Sequence, residues 1–465
     1  MVSFKGGGLK LWAVCAAVAL FVVGCGKGGV EYKAPDGYSD VLLAPLELTG
    51  GARIRVVWVR DMGDGSDWLA TGDNLVLMGY DSADGEGERI LHQGFGNYTK
   101  PLISPDGSKI LVSLADGSRM RLIDWESGAV EELGEGHGLA FNKEGREVFV
   151  YYGIGKKGYR GTLEEVQRLP LRNPNKRELV FKHQVAADSF TVDRSGKFAA
   201  GLFPWPKANI VDLETKELKR FGRGCWVSLA PDGSGMHWVF EGTHLNVNLF
   251  KPGQEEAIVS SISRIPGIVE KPVYYPRWTN HERFIVVGAP FQPRANAESN
   301  IYLGRFDADY SGVEAWARIS YDPQGDFFPD AWIDTQNVPV TSLKAGPTFA
   351  DRGETGSTFE PVPLKGRLKA ITETPDPQTI IPYNEAIAVY LYEVEAHPDT
   401  GEPGEIMVGH WVIRDGRKVR NFSPSIGELV EMKVVPYSGN PKYEGDRVLI
   451  DVSGGGGKVF IDESR

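Results

Sequence analysis

The chain has 465 residues, a formal net charge of −11 and 41% hydrophobic residues, which is enough for two or three ordinary domains or one large repeat architecture. The chain is acidic overall and has no polybasic stripe, so electrostatic repulsion excludes nucleic acid as a partner. The 57 Gly and 29 Pro, together with 21 Phe, 17 Tyr and 11 Trp, favour many short β-strands joined by turns.

The N-terminal segment has the three parts of a secretory signal in order. Lys5 and Lys10 supply positive charge, residues 11–23 are apolar, and the segment ends in Val-Val-Gly-Cys at Cys25. Thirteen helical residues span roughly 20 Å, short of the ~30 Å hydrocarbon core, so a cleaved signal is favoured over a membrane span. The ending resembles the lipobox of bacterial lipoproteins, which implies cleavage after Gly24 and lipidation of Cys25. An ordinary signal peptide or a short membrane anchor is the alternative.

The lipobox resemblance implies a mature chain that a lipid holds on a membrane of the cell envelope. We assign residues 1–24 to the signal and 25–47 to a tether. Gly26 stands where enterobacterial lipoproteins retained at the inner membrane carry aspartate, so the outer membrane is favoured over the inner one. Cys225 is then left without a disulfide partner, and we interpret it as a buried, inert thiol.

A strand-and-turn unit recurs along residues 48–336. In the best copy the turn is Ser104-Pro105-Asp106-Gly107, in which proline presets φ, aspartate caps the turn and glycine takes a positive φ. Weaker copies are separated by roughly 35–50 residues, close to the 40–45 residues of a four-stranded propeller blade. The turn positions are 72, 107, 145, 196, 233 and 281. They predict six blades, with seven as the alternative.

The stretch from Ser104 to Asp124 resembles the TolB-type, WD-like repeat. The resemblance implies an all-β propeller that works through protein contacts in the envelope, although this fold serves many functions. Residues 325–336 look like one more first strand with no blade after it. We predict that they pair with residues 53–59 and close the ring.

The end of the chain predicts a second, smaller β-domain. Residues 337–362 are rich in turn residues and are interpreted as a linker, and 363–465 as a small barrel or sandwich. Asp415-Gly416 is a hairpin turn signal. Residues 382–390 and 408–413 resemble a β-domain of bacterial envelope proteins. The predicted strands are 364–371, 386–395, 406–414, 429–436 and 447–452.

Two acidic, glycine-containing loops could bind calcium. The candidate ligands in the second loop are Asp81, Asp84, Glu86 and Glu88, and residues 61–67 form the first loop. Neither loop has the ligand spacing of an EF-hand, so solvated turns are the alternative.

No motif predicts a catalytic residue or an organic cofactor. We therefore predict a non-catalytic, lipid-tethered propeller that binds envelope proteins or polysaccharide. The alternative is a propeller enzyme of the polysaccharide-lyase kind, with a divalent metal at the channel. In that case His237, His244 and His281, from the fifth and sixth blades, would converge.

Overall fold

The computed structural model describes residues 42–67, 69–155, 162–268, 271–291, 298–337, 348–352, 359–380, 383–419, 423–452 and 458–464. All of them belong to one compact unit that begins at Tyr38. The predicted signal and Cys25 lie outside this described part. Within it, no helix combines the length and the apolar character that crossing a membrane requires.

Six four-stranded antiparallel sheets, the blades, form the propeller. Blade 1 contains β1 (Ile54–Asp61), β2 (Leu75–Asp81) and β3 (Glu88–Gly96), and blade 2 contains β4 (Tyr98–Ile103), β5 (Lys109–Leu114), β6 (Met120–Asp124) and β7 (Val130–Gly134). Blade 3 contains β8 (His137–Glu144), β9 (Glu147–Ile154), β11 (Glu165–Pro170) and β12 (Glu178–Phe181), while β10 (Thr162–Leu163) pairs separately with β13 (Val185–Ala186). Blade 4 contains β14 (Phe190–Val192), β15 (Phe198–Leu202), β16 (Lys207–Asp212) and β17 (Leu218–Arg223). Blade 5 contains β18 (Cys225–Leu229), β19 (His237–Phe240), β20 (Asn246–Phe250) and β21 (Ala257–Ser261). Blade 6 contains β22 (Tyr274–Trp278), β23 (Phe284–Ala289), β24 (Asn300–Phe306) and β25 (Val313–Arg318).

The last strand of the propeller, β26 (Asp326–Ile333), completes blade 1. It pairs antiparallel with β1, placing Ile333 opposite Ile54 and Asp326 opposite Arg60. The first strands of successive blades contact one another around the ring, and β26 contacts both β22 and β4. The predicted ring closure and the count of six blades are therefore confirmed.

The closure also corrects one repeat position. Gly107, Gly145, Gly196 and Gly233 all lie between the first and second strands of a blade and have φ values of 76°, 61°, 75° and 78°. Gly72 instead lies between β1 and β2, which are the second and third strands of blade 1. The assignment of Gly72 to an equivalent turn was wrong, because the inner strand of that blade comes from residues 326–333.

Large side chains fill the spaces between blades. Trp58, Trp238 and Trp316 have no exposed surface, and Trp238 stacks on Trp278 of the next blade with centroids 3.9 Å apart. Burying aromatic side chains of this size contributes strongly to the stability of such interfaces.

A short helix, α1 (Pro45–Leu48), lies just before the first blade. The backbone N–H of Leu43 donates to the carbonyl of Trp316 at 2.8 Å, and Leu48 is fully buried. Residues 42–47, which were assigned to the tether, thus lie against blade 6.

The C-terminal domain is a barrel. Its strands are β27 (Val362–Ile371), β28 (Ala386–Val394), β29 (Gly404–Arg414), β30 (Arg417–Lys418), β31 (Leu429–Pro436), β32 (Arg447–Leu449) and β33 (Val459–Asp462). The five strands β27, β28, β29, β33 and β31 close on themselves, while β30 and β32 extend the sheet. Short 3₁₀ turns cover Thr335–Asn337 and Pro377–Ile380.

The barrel settles two predictions. Asp415 and Gly416 have positive φ values of 48° and 67° and join paired strands, so the predicted hairpin is confirmed. The sheet closes because β33 lies between β29 and β31, which makes the sandwich alternative wrong. The sequence analysis had not predicted β33.

Candidate functional site

The inner strands of five blades have a β-bulge near one position, and in four of them the bulged residue has a left-handed backbone. Pairing shifts by one step after Thr99, Cys225 and Tyr274 and at the corresponding place in β26. A bulge bends the strand and redirects the extra side chain. The bulged residues with left-handed backbone are Lys100 (φ 44°), Trp226 (φ 44°), Tyr275 (φ 55°) and Phe328 (φ 53°). The four blades therefore hold equivalent side chains in an unusual backbone state.

Three of these bulged residues form what we call the aromatic collar: Trp226, Tyr275 and Phe328. The ring of Tyr275 lies 5.1 Å from Trp226 and 4.3 Å from Phe328, measured between centroids. All three are buried. The collar therefore fills the channel side of blades 5, 6 and 1 with packed aromatic surface.

The fourth bulged residue, Lys100, belongs to a charged group that we call the channel cluster: Lys100, Asp188, Arg277 and Asp330. Arg277 and Asp330 are 3.6 Å apart, and Asp330 accepts a hydrogen bond of 2.7 Å from the backbone N–H of Ile103. The four side chains belong to blades 2, 4, 6 and 1. Lys100 interacts with Arg277 and Asp188, which belong to blades not adjacent to its own, and such groups meet only near the axis of the ring, so the cluster lies in the central channel.

Lys100 is the least satisfied member of the channel cluster. Its ammonium is buried and has no hydrogen-bond partner among the described residues. Burial and the charge of Arg277 lower the pKa of Lys100 to about 7, although the charges of Asp188 and Asp330 act in the opposite direction.

His137 begins β8, and this strand contacts β4, which carries Lys100. It is buried, and neither of its ring nitrogens has a hydrogen-bond partner in the described part of the chain. Its ring packs on Gly117, where an added Cβ would approach Nε2 to 2.3 Å. Burial lowers the pKa of His137, and the Lys100 charge lowers it too, against the pull of Asp116. The imidazole is therefore neutral near pH 7.

The barrel lies against the end of the propeller where the inner strands begin. At this end, Gly224 precedes the inner strand of blade 5, and its N–H donates a hydrogen bond of 3.0 Å to the carbonyl of Pro206 in a loop of blade 4. At the same end, Tyr383 of the barrel domain has its hydroxyl 2.9 Å from the sulfur of Cys225. Burial raises the pKa of the Cys225 thiol to about 11, which keeps it protonated. The predicted buried thiol is confirmed.

Two buried glutamates hold the barrel on the propeller. Glu444 of the barrel accepts hydrogen bonds from the side chain of Asn248 and from the backbone of Arg223, both at 3.3 Å, and lies 3.6 Å from Arg352. Glu241 of the propeller accepts a hydrogen bond of 3.1 Å from Ser438 of the barrel. Both glutamates are fully buried, so the interface is specific in charge as well as in shape.

Glu241 predicts that the stability of the protein depends on pH. Burial raises the pKa of Glu241 to about 7, although hydrogen bonds from Thr243, Asn246 and Ser438 act in the opposite direction. Between pH 4.5 and 7 the folded chain keeps a proton that the unfolded chain releases, so this contribution to stability is lost as pH rises. We expect Glu241→Gln to be more stable than the wild type at pH 8, by about 1–3 kcal/mol, and equally stable at pH 4.

Chemical denaturation across this pH range measures the effect. Glu405→Gln, which changes an exposed carboxylate on the barrel, is the matched control and should leave the pH profile unchanged. A Glu241→Gln profile that follows the wild-type profile at every pH would contradict the assignment.

The candidate calcium ligands all face arginine side chains. Asp81 accepts hydrogen bonds from Arg53 and from Arg55, the latter at 2.8 Å. The other three pairs are Asp84 with Arg89 at 2.5 Å, Glu86 with Arg89 at 3.4 Å and Glu88 with Arg60 at 2.5 Å. In this arrangement arginines neutralise the carboxylates, and calcium binding by the loop stays a prediction.

The three histidines that a metal-dependent enzyme would use have separate surroundings. His237 packs on Phe250, and His244 stacks on Phe240 with centroids 4.8 Å apart. His281 lies 3.3 Å from Glu282. Over the described ranges, no three histidine, cysteine, aspartate or glutamate side chains form a group that could hold a metal ion.

Neither the channel cluster nor the collar was predicted from the sequence. A usable signal existed, because three of the bulged residues precede proline, in Lys100-Pro101, Tyr275-Pro276 and Phe328-Pro329. Proline removes a backbone donor, which fits a position where strand pairing is interrupted.

Comparison with known proteins gives structural likeness only. No family model and no curated protein matches the chain. Solved structures similar to it include TolB from Acinetobacter baumannii, at 13% identity over 62% of this chain and 69% of that one, with a TM-score of 0.38. A chain of a nidogen/laminin complex is similar at 8% identity over 60% of this chain and 98% of that one, with a TM-score of 0.41. The protein is a six-bladed β-propeller followed by a separate closed five-stranded β-barrel, and TolB is among its structural neighbours.

Proposed function

We propose that this protein is a lipid-anchored scaffold of the cell envelope that binds envelope proteins or polysaccharide without catalysing a reaction. The observation that carries the proposal is the buried interface between barrel and propeller. A lipid at Cys25 would hold the resulting body at a membrane, with the outer membrane favoured.

The interface supports this role because it makes one body of two domains. Separating them would expose Glu444 and Glu241 and break their hydrogen bonds with Arg223, Asn248 and Ser438. Propeller and barrel surfaces therefore keep a fixed relation, as a scaffold with a composite binding surface requires.

The alternative is a polysaccharide-lyase-like enzyme with a divalent metal at the channel. A metal group formed by histidines or carboxylates would favour it, and the part of the chain that the structure describes contains none. No described feature favours the enzyme over the scaffold, and it stays an alternative prediction.

Replacing Cys25 with alanine tests the anchor. We expect the wild type to incorporate labelled palmitate and to sediment with membranes, and Cys25→Ala to incorporate none, because the lipid is attached through the cysteine thiol. Cys225→Ala is the matched control and should keep the label, since Cys225 is buried inside the propeller. Labelling of Cys25→Ala, or an unlabelled wild type, would show that the anchor has been misassigned.

A further inference from the structure

We propose that the central channel binds a small ligand bearing an oxyanion, a carboxylate or a phosphate, which accepts hydrogen bonds from the Lys100 ammonium and the His137 imidazole. This site goes beyond the scaffold role and does not depend on the lipid anchor. It rests on the position of Lys100, on the groups around it and on the unused donor of His137.

The position of Lys100 is the first argument. Trp226, Tyr275 and Phe328 occupy the equivalent bulges and pack against one another, so an apolar side chain suits this position. Blade 2 instead places a buried ammonium there, and no acceptor among the described residues bonds it. Burying a cation without an acceptor is strongly unfavourable. An acceptor from outside the chain would remove that cost.

The surrounding charges are the second argument. Asp330 already accepts a hydrogen bond from the N–H of Ile103 and forms an ion pair with Arg277, so its negative charge is largely neutralised. Asp188 attracts Lys100 through space but accepts no hydrogen bond from its ammonium. The channel cluster therefore presents one buried amino group whose N–H donors are unused, and an oxyanion beside it would favour its charged form. A charged acceptor forms the strongest hydrogen bonds with such a group.

His137 is the third argument. Its buried ring has two nitrogens without a hydrogen-bond partner in the described ranges, and it lies close enough for the Lys100 charge to act on it. A neutral imidazole has one N–H to donate. Lys100 and His137 can thus donate to one oxyanion from two adjacent blades. The ligand is small, because the aromatic collar fills the other side of the channel.

Thermal melting of the whole protein with two probes tests the site. Inorganic phosphate and acetate are titrated separately, with chloride at the same ionic strength as the reference. We expect at least one probe to raise the wild-type melting temperature by several degrees in a saturable manner, since a ligand that binds only the folded state stabilises it. The probe whose effect saturates at the lower concentration shows whether the site prefers a phosphate or a carboxylate.

Two variants and one control make the test specific. Lys100→Met should fold and lose the response, and His137→Phe should weaken the apparent affinity about tenfold. Lys109→Met removes a partly exposed lysine of the same blade and should keep the full response. The proposal is overturned if neither probe gives a saturable rise, or if Lys100→Met and His137→Phe both respond like the wild type.

Discussion

Replacing Asp326 with alanine is expected to lower the free energy of unfolding by about 3–5 kcal/mol. The fully buried Asp326 carboxylate accepts hydrogen bonds from the indole of Trp58 at 2.8 Å and from Arg60 at 2.7 and 3.0 Å. These bonds join β26 to β1, the pair that closes the ring. Without the carboxylate, the buried Trp58 N–H loses the acceptor that it has here, and the buried Arg60 guanidinium keeps only the partly exposed Glu88 and Asp322.

The matched control for this prediction uses another carboxylate on the same arginine. Asp322 lies 3.4 Å from Arg60 but is partly exposed, so Asp322→Ala should cost less than about 1 kcal/mol. Urea denaturation of the three proteins measures the differences. Equal stability of Asp326→Ala and Asp322→Ala would show that the ring closure does not depend on this buried pair.

Replacing Gly242 with alanine is expected to destabilise the barrel–propeller interface by about 3 kcal/mol, near the upper end for an overpacked site. A Cβ at Gly242 would lie 1.9 Å from the carbonyl oxygen of Asp446 and 2.7 Å from the hydroxyl of Tyr437. The carbonyl is backbone and cannot rotate away. The hydrogen bond from the N–H of Gly242 to the Tyr437 hydroxyl, 2.9 Å long, would be distorted as well.

Limited proteolysis and calorimetry report this effect. Gly242→Ala should be cleaved faster between propeller and barrel and should melt in two transitions, because each domain keeps its own core. Gly404→Ala is the control, since an added Cβ there meets no atom within 4 Å. A single transition at the wild-type temperature for Gly242→Ala would mean that the close approach does not hold the domains together.

Local chemistry made the propeller predictable. Turns such as Pro105-Asp106-Gly107 recur because four blades have a tight connection with a positive-φ glycine after the inner strand, so their spacing reveals the blades. Ring closure was predictable for a related reason, because residues 325–336 have the strand pattern of a blade start. The turn at Gly72 was assigned wrongly because the spacing of the turns does not show that the inner strand of blade 1 comes from residues 326–333, far along the chain.

Features that depend on distant residues were not predictable. The strand β33 is only four residues long, and its partners β29 and β31 are separated from it in sequence. The channel cluster brings together Asp188 and Lys100, which come from different blades, and no local sequence pattern predicts that these two residues interact. Glu241 and Glu444 likewise look like ordinary surface glutamates in the sequence, although both are fully buried between the domains.

Site-specific photo-crosslinking in cells tests the proposed scaffold role most directly. A photoreactive residue replaces Tyr321 on the propeller or Ile426 on the barrel, both exposed by more than half of their surface. The scaffold role predicts discrete adducts with an envelope protein or polysaccharide, formed by the membrane-attached protein and lost in the Gly242→Ala background. Folded, membrane-attached protein that gives no adduct from either position would contradict it.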